Sequence, residues 1–147
     1  MIYLDSCTLL KLIRTEDGSA ALQQWLDERG DELMVTSELS RTEVLRAIRR
    51  NNHRDTGELI DAAALAEELT EATEVLAAVA QLAVDSDILD DAGALTAPMI
   101  MTLDAIHLVS AAEWDPSKVE LVTYDRRLSA GATDSGLTVV APAAPHP

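Results

Sequence analysis

Short apolar runs alternate with longer stretches of helical period along this chain. Ile2 to Leu4 is an apolar run ended by Asp5-Ser6, so it reads as a buried strand followed by a helix that either polar residue can cap. Cys7 to Ile13 suits a short helix. Gly18-Ser19 restarts a second one, Ala20 to Arg29, closed by Gly30. Leu33 to Thr36 reads as the next strand, with Ser37 placed to cap a third helix running to about Asn52. Glu58 to about Ala83 is rich in Ala, Leu and Glu and predicts a long helix with a break near Thr70 or Thr73. Leu82 to Val84 suits a short strand and Ser86 to Leu95 a small helix. Thr102 to Trp114 is apolar almost all round, the pattern of a buried helix. After Pro116 come a strand at Val119 to Thr123, a helical turn at Arg126 to Ala130, a last strand at Leu137 to Val140 and a Pro-rich tail that reads as frayed.

Apolar strands alternating with helices predict an α/β fold, a parallel sheet of four to five strands sandwiched between helices. No linker or internal repeat is visible. The domain spans residues 1–141, and residues 142–147 form the tail. In such sheets ligands gather at the carboxyl ends of the strands, where the strand order reverses.

Composition narrows the function. A chain of 147 residues buries roughly 70% of its unfolded surface and needs no staples. Its one cysteine, Cys7, excludes an internal disulfide framework and a Cys-rich zinc site, and suits a reducing compartment. No apolar run nears the ~18 residues of a membrane span. The start, MIYLDSC, lacks the basic region of a secretory signal, so a cytoplasmic protein without a membrane partner is expected. Aromatic content is 3% with no Phe, which argues against a base-stacking platform. The net charge of −15 argues against gripping nucleic acid by bulk charge, but not against a nuclease whose acids hold a metal.

The charge is unevenly spread. Arg41, Arg46, Arg49, Arg50 and Arg54 are five of the eleven cations and share their segment with one acid, Glu43. From Asp55 to Asp91 there are eleven acids and no Lys or Arg. Two solvated helix faces would explain this; so would a phosphate-contacting patch beside an acidic flank.

Four acids sit where a surface acid is not expected. Asp5 ends an apolar strand, as a cap or as a carboxylate at the carboxyl end of a central strand. Glu43 shares a helical stripe with Leu39 and Ala47, although Arg46 at i+3 offers it an ordinary partner. Asp104 opens LDAIHLVSAA, where a first-turn acid suits the helix dipole but little wet surface remains for it. Asp125 follows ELVTY, on the same side of the strand as Thr123, and can cap the next helical turn. Their separations are 38, 61 and 21 residues, so no local motif links them. Three of them nevertheless fall at a strand end or a helix start. Carboxylates gathered there would repel and protonate unless cations joined them. An oxygen-only ligand set suits Mg²⁺ or Mn²⁺ rather than zinc.

YLDS near the start, TSELSRTEV in the third helix, LDAIHLVSA around residue 104 and VTYDRRL around residue 125 together resemble the PIN-domain ribonucleases, and within them the VapC-type toxins of toxin–antitoxin pairs. The motifs are short but run in order from about Ile2 to Leu128. The resemblance implies a Rossmann-like parallel sheet and Mg²⁺-dependent endonucleolytic cleavage of RNA, with Mn²⁺ as a substitute. Asp5 and Asp104 would be direct metal ligands, and Glu43 and Asp125 would complete the shell through water or at a second ion. Thr123 matches a hydroxyl position near the last acid, while Cys7 stands where a small polar residue is usual. The family also implies a homodimer and a cognate antitoxin that blocks the site. Arg41, Arg46, Arg49, Arg50, Arg54, Arg126 and Arg127 would hold the RNA backbone, and structured RNA read by shape fits a chain with so few aromatics.

Other residues invite plainer readings. His107 could be a base near Asp104 but suits a packed or hydrogen-bonded histidine better. Ser6 could contact a phosphate, though a helix cap is the simpler role. Asp85, Asp87, Asp90 and Asp91 read as a solvated loop, Met99 and Met101 as core or dimer packing, and Trp25 and Trp114 as core or interface anchors; His53 and His146 carry no signal. Two other functions compete. A PIN-like module could hold a cation or a partner's arginine without turnover. A phosphotransfer domain also places acids at strand ends, but a receiver needs a lysine ending a late strand, whereas Lys118 precedes one. The phosphatase type needs an Asp where Cys7 stands.

Overall fold

Every residue of Ile2–Leu4 (β1) is buried, which a strand meets only in the middle of a sheet covered on both faces. In a computed structural model that describes residues 1–143, β1 is followed by α1 (Ser6–Ile13), α2 (Ser19–Asp27), β2 (Met34–Ser37), α3 (Leu39–Asn51), α4 (Ala62–Ala78), β3 (Ala80–Leu82), α5 (Ser86–Ala94), α6 (Thr102–Ala112), β4 (Glu120–Val122), α7 (Arg126–Asp134) and β5 (Thr138–Val140). The strands form one parallel sheet in the order β3-β2-β1-β4-β5, the expected α/β architecture. Strand alternation divides the core. Ile2, Leu4 and Val122 pack with Leu9, Leu22, Val44, Ile48 and Leu76 on one face; Tyr3, Val35 and Leu121 pack with Leu108 and Leu128 on the other.

The order reverses at β1. The chain moves outward to β2 and β3, then returns to place β4 and β5 on the other side. The crevice beyond the carboxyl ends of β1 and β4 is therefore the switch point of this fold.

Several boundaries differ from expectation. The long helix does not start at Glu58. Residues before it form a tight turn in which Arg54 N donates to Glu58 O and Gly57 takes φ +85°, with an antiparallel bridge between His53 and Leu59. Asp61 then caps α4. The helix is not broken at Thr70 or Thr73, because both hydroxyls donate four residues back, to the carbonyls of Ala66 and Leu69. It ends where Val79 turns extended into β3, which starts at Ala80 rather than Leu82. α7 runs through Gly131 to Asp134, past the expected turn, and α2 stops at Asp27, short of Gly30. Ser37 ends β2 and accepts a bond from Leu39 N, while Glu38 holds the N-cap position of α3 without a side-chain cap bond.

Smaller readings change too. Asp85 caps α5, and Asp87, Asp90 and Asp91 lie on that helix rather than in a loop. Met99 and Met101 are 74% and 57% exposed, so neither packs in the core. Trp25 and Trp114 are half-buried, each against one of the two core faces. Pro142 is buried and its carbonyl accepts Tyr124 Oη at 2.8 Å, so packing extends into the first residue assigned to the tail. The rest of the frayed-tail expectation, including His146, falls on residues 144–147, outside the described residues. Among the described residues no helix is long and apolar enough to cross a membrane.

Candidate active site

The register of β1 and β4 builds the first corner of the site. Leu4 pairs with Val122, so the next residues, Asp5 and Thr123, leave the sheet side by side. Asp5 Oδ1 accepts Thr8 N at 2.7 Å and caps α1, and Oδ2 accepts Thr123 Oγ1 at 2.5 Å. Capping and membership of the site are thus both true of one carboxylate. Asp5 is 3% exposed. Desolvation raises its pKa above the ordinary carboxylate range, outweighing the bonds from Thr123 and Thr8.

Glu43 comes from the middle of α3. Its partner is not Arg46: Oε2 accepts Ser6 Oγ at 2.5 Å and faces His107 Nε2 at 2.8 Å. Ser6 is accordingly not the helix cap; Asp5 takes that role and frees the serine hydroxyl for Glu43. Desolvation opposes ionisation of Glu43, but the bonds from His107 and Ser6 prevail and hold its carboxyl below the usual range.

Asp104 lies in the first turn of α6, half-buried above a helix whose residues Ala105 to Ala111 are all buried. Its pKa is raised by desolvation and then by the charge of Asp125, against the opposing charge of Arg127. Asp125 caps α7, Oδ1 accepting Arg127 N and Leu128 N at 2.7 and 3.1 Å, and its own N–H donates to Thr123 Oγ1 at 3.1 Å. Arg127 Nη2 stands 3.8 Å from Asp125 Oδ2.

The thiol of Cys7 is pushed up to about 12, first by desolvation and then by the charges of Asp5, Asp125, Glu43 and Asp104 together. Carboxylates from four separate segments of the chain thus lie near enough to Cys7 for their charges to act on its thiol. Among the described residues, no three His, Cys, Asp or Glu side chains close into a ready metal cage. The donor set is nonetheless oxygen-only, and Asp5 and Asp104 carry charge that the fold penalises. That combination fits Mg²⁺, which keeps most of its waters and binds through one or two carboxylates plus substrate phosphate rather than in a protein cage.

A cleft of about 1000 Å³ opens beside Cys7. Ser6, Cys7 and Glu43 line it together with Arg46, Arg49, Arg50 and Arg54. Four of the five arginines of the basic segment therefore line the same cleft as Glu43, whereas Asp5, Asp104 and Asp125 do not line it. Arg41 lies apart, in a groove with Glu38, Leu45, Leu89 and Ile106, which Arg46 also borders. Arg126 is exposed at the start of α7. Arg49 and Arg50 also occupy the last turn of α3, where the helix dipole favours cations.

Sequence reasoning undervalued what lies beneath. His107, 2% exposed, bridges Glu43 and Tyr3, and Ser6 Oγ lies 3.1 Å from Ser40 Oγ, itself 2.7 Å from Thr36 Oγ1. Thr36 donates to Leu4 O at 2.6 Å. Thr36 near the end of β2 and Ser40 in the first turn of α3, hydroxyls in an otherwise apolar setting, were the signal for this network.

The PIN domain family model matches residues 2–133. The protein named ribonuclease VapC35 of Mycobacterium tuberculosis is 40% identical over 144 residues, covering 97% of both chains. The crystal structure of Mycobacterium tuberculosis VapC20, described as a sarcin–ricin-loop-cleaving toxin, superposes with a TM-score of 0.68 at 15% identity, covering 97% of this chain and all of that one. VapBC2 from Rickettsia felis, solved bound to a DNA fragment from its promoter, gives a TM-score of 0.63 at 13% identity over 96% of this chain and 98% of that one.

Proposed function

This chain belongs to the PIN-domain family, among its VapC ribonucleases, and from that premise we propose that it is an Mg²⁺-dependent endoribonuclease, the toxin of a VapBC-type pair. The observation that supports this reading is an arginine-lined cleft holding Cys7 and Glu43, with Asp5, Asp104 and Asp125 close enough to press their charges on the Cys7 thiol. Asp5 and Asp104 would hold the ion, with Glu43 and Asp125 ordering its waters or a second ion. Bound there, Mg²⁺ (or Mn²⁺) would supply the Lewis-acid charge that makes water nucleophilic near neutral pH and offsets charge on a phosphoryl oxygen.

The chain's own residues do the rest. Thr8 N and Thr123 Oγ1 fix both oxygens of Asp5, so its orientation does not await the substrate. Arg46, Arg49, Arg50 and Arg54 offer phosphate contacts along the cleft, which offsets the repulsion of RNA by a chain of net charge −15. Such contacts position a backbone without reading bases and suit a folded RNA. The partners follow from the same reading: structured RNA, a cytoplasmic antitoxin that blocks the cleft, and a second copy of the chain.

Purified protein incubated with ribosomal RNA should yield discrete internal fragments with Mg²⁺ or Mn²⁺ and none with EDTA. Absence of any metal-dependent fragment, with the acids intact and the fold verified, would leave a binding module without turnover.

A further inference from the structure

Two buried side chains join the acidic pocket to the sheet without reaching the cleft. Tyr3 on β1 is fully buried, and its Oη lies 2.8 Å from His107 Nδ1 on α6. The rings meet edge to face, with centroids 5.9 Å apart and planes at 80°. On its other side, His107 Nε2 lies 2.8 Å from Glu43 Oε2 on α3. Proton counting gives this chain a direction. An ionised carboxylate only accepts, so the proton between ring and Glu43 belongs to Nε2. In the neutral ring Nδ1 is then a bare acceptor, and the Tyr3 hydroxyl is its donor. Desolvation keeps that hydroxyl protonated by raising its pKa. The opposite tautomer would set a nitrogen lone pair against the carboxylate. Ser6 gives Oε2 a second donor, so both protein bonds fall on one oxygen of Glu43, and Oε1 has no protein hydrogen bond among the described residues.

We propose that Tyr3 and His107 are positioning residues: Glu43 fixes the tautomer of His107, the Tyr3 hydroxyl donates to the ring's other nitrogen, and the ring so held keeps Glu43 with one oxygen left for the pocket. The inference rests on reading the cleft as a metal-dependent RNA-cleaving site, and it deepens that reading. It also accounts for a histidine buried among apolar residues of α6, where Leu or Ile would pack without needing partners. Partners that orient ligands typically matter by about 10–100-fold in metal affinity or activity.

The ring can be tested before any metal is added. In ¹⁵N spectra of the metal-free protein, Nε2 of His107 should carry the proton; a bare Nε2 would overturn the proposal. Tyr3→Phe leaves Nδ1 without its donor and should weaken Mn²⁺ binding, though less than His107→Leu does. His107→Leu should weaken Mn²⁺ binding, read by electron paramagnetic resonance, by about 10–100-fold and lower kcat with KM for RNA little changed. His107→Gln, whose amide can still donate to Glu43, should recover part of both. Parental Mn²⁺ affinity and kcat in His107→Leu, alongside an inactive Asp5→Asn, would overturn the positioning role alone. If Asp5→Asn is also fully active, the metal-site reading falls and this inference with it. Should His107→Leu fail to fold, Tyr3→Phe and the ring spectrum still decide: a bare Nε2 in the parent, or unchanged Mn²⁺ affinity in Tyr3→Phe, would overturn the proposal.

Discussion

Asp5 opens α1 and Asp61 opens α4 with much the same local chemistry. Each has extended backbone, and each carboxylate accepts amide protons from the first turn: Asp5 from Thr8, and Asp61 from Ala63 and Ala64. Their surroundings differ. Asp61 follows an exposed turn and stays in water. Asp5 follows the central strand at the switch point, 3% exposed, with its second oxygen tied to Thr123. One carboxylate stabilises a helix, while the other also carries a charge that the fold resists. Local capping chemistry does not separate the two; position relative to the sheet does.

Three substitutions or conditions sharpen this contrast. The largest effect is expected from Asp5→Asn. Asparagine caps as well as aspartate, so circular dichroism should be unchanged, while RNA cleavage should fall beyond the 10–100-fold typical of an indirect partner, by more than about 100-fold. A variant that cuts at the parental rate would dissolve the distinction between the two caps.

Stability should respond next. Desolvation raises the pKa of Asp5 above its unfolded value. Its contribution to stability is therefore full below the ordinary carboxylate range and is lost as pH rises through the folded pKa. Metal-free Asp5→Asn should melt above the parent at neutral pH, and the gap should close as pH falls below that range. Saturating Mg²⁺ should raise the parent's melting temperature but hardly the variant's, since ligand at 100 times Kd adds about 2.7 kcal/mol, and EDTA should reverse the gain. A pH-independent gap would show that Asp5 is not strained by its setting.

The smallest effect belongs to Asp61→Ala. It should cost about 1 kcal/mol in denaturant unfolding and leave cleavage unchanged. A loss of activity there would extend the site to a helix that the geometry keeps apart from it.

The strands and most helices were legible because period-2 and period-3.6 patterns record which faces are buried. Where the reading slipped, two local signals competed. Thr70 and Thr73 look like breakers, yet their hydroxyls find carbonyls within the helix. Gly57 and Asp61 mark a turn and a cap inside what composition alone reads as helix. At the site, Asp5, Glu43, Asp104 and Asp125 stood out because each breaks an apolar pattern. Tyr3 fits its apolar pattern and so drew no notice, since an aromatic ring satisfies a core position whatever its polar atoms do, while His107 is the packed, hydrogen-bonded histidine that its place in α6 suggests. Ser6 was assigned the cap because it and Asp5 are equivalent in sequence, and only the location of Glu43 separates them.

The sequence by itself determined the parallel α/β class, the acids that disturb its apolar runs and the basic segment beside one of them, because burial and charge are written residue by residue. Tertiary structure decided the rest. The strand order places the end of β1 beside the end of β4, so that Asp5 and Thr123 touch across 118 positions. The packing of α3 and α6 against β1 turns Glu43 away from Arg46 toward Ser6 and His107. Contacts between distant segments carry no local periodicity, because each partner is chosen by a fold that the neighbouring residues do not encode.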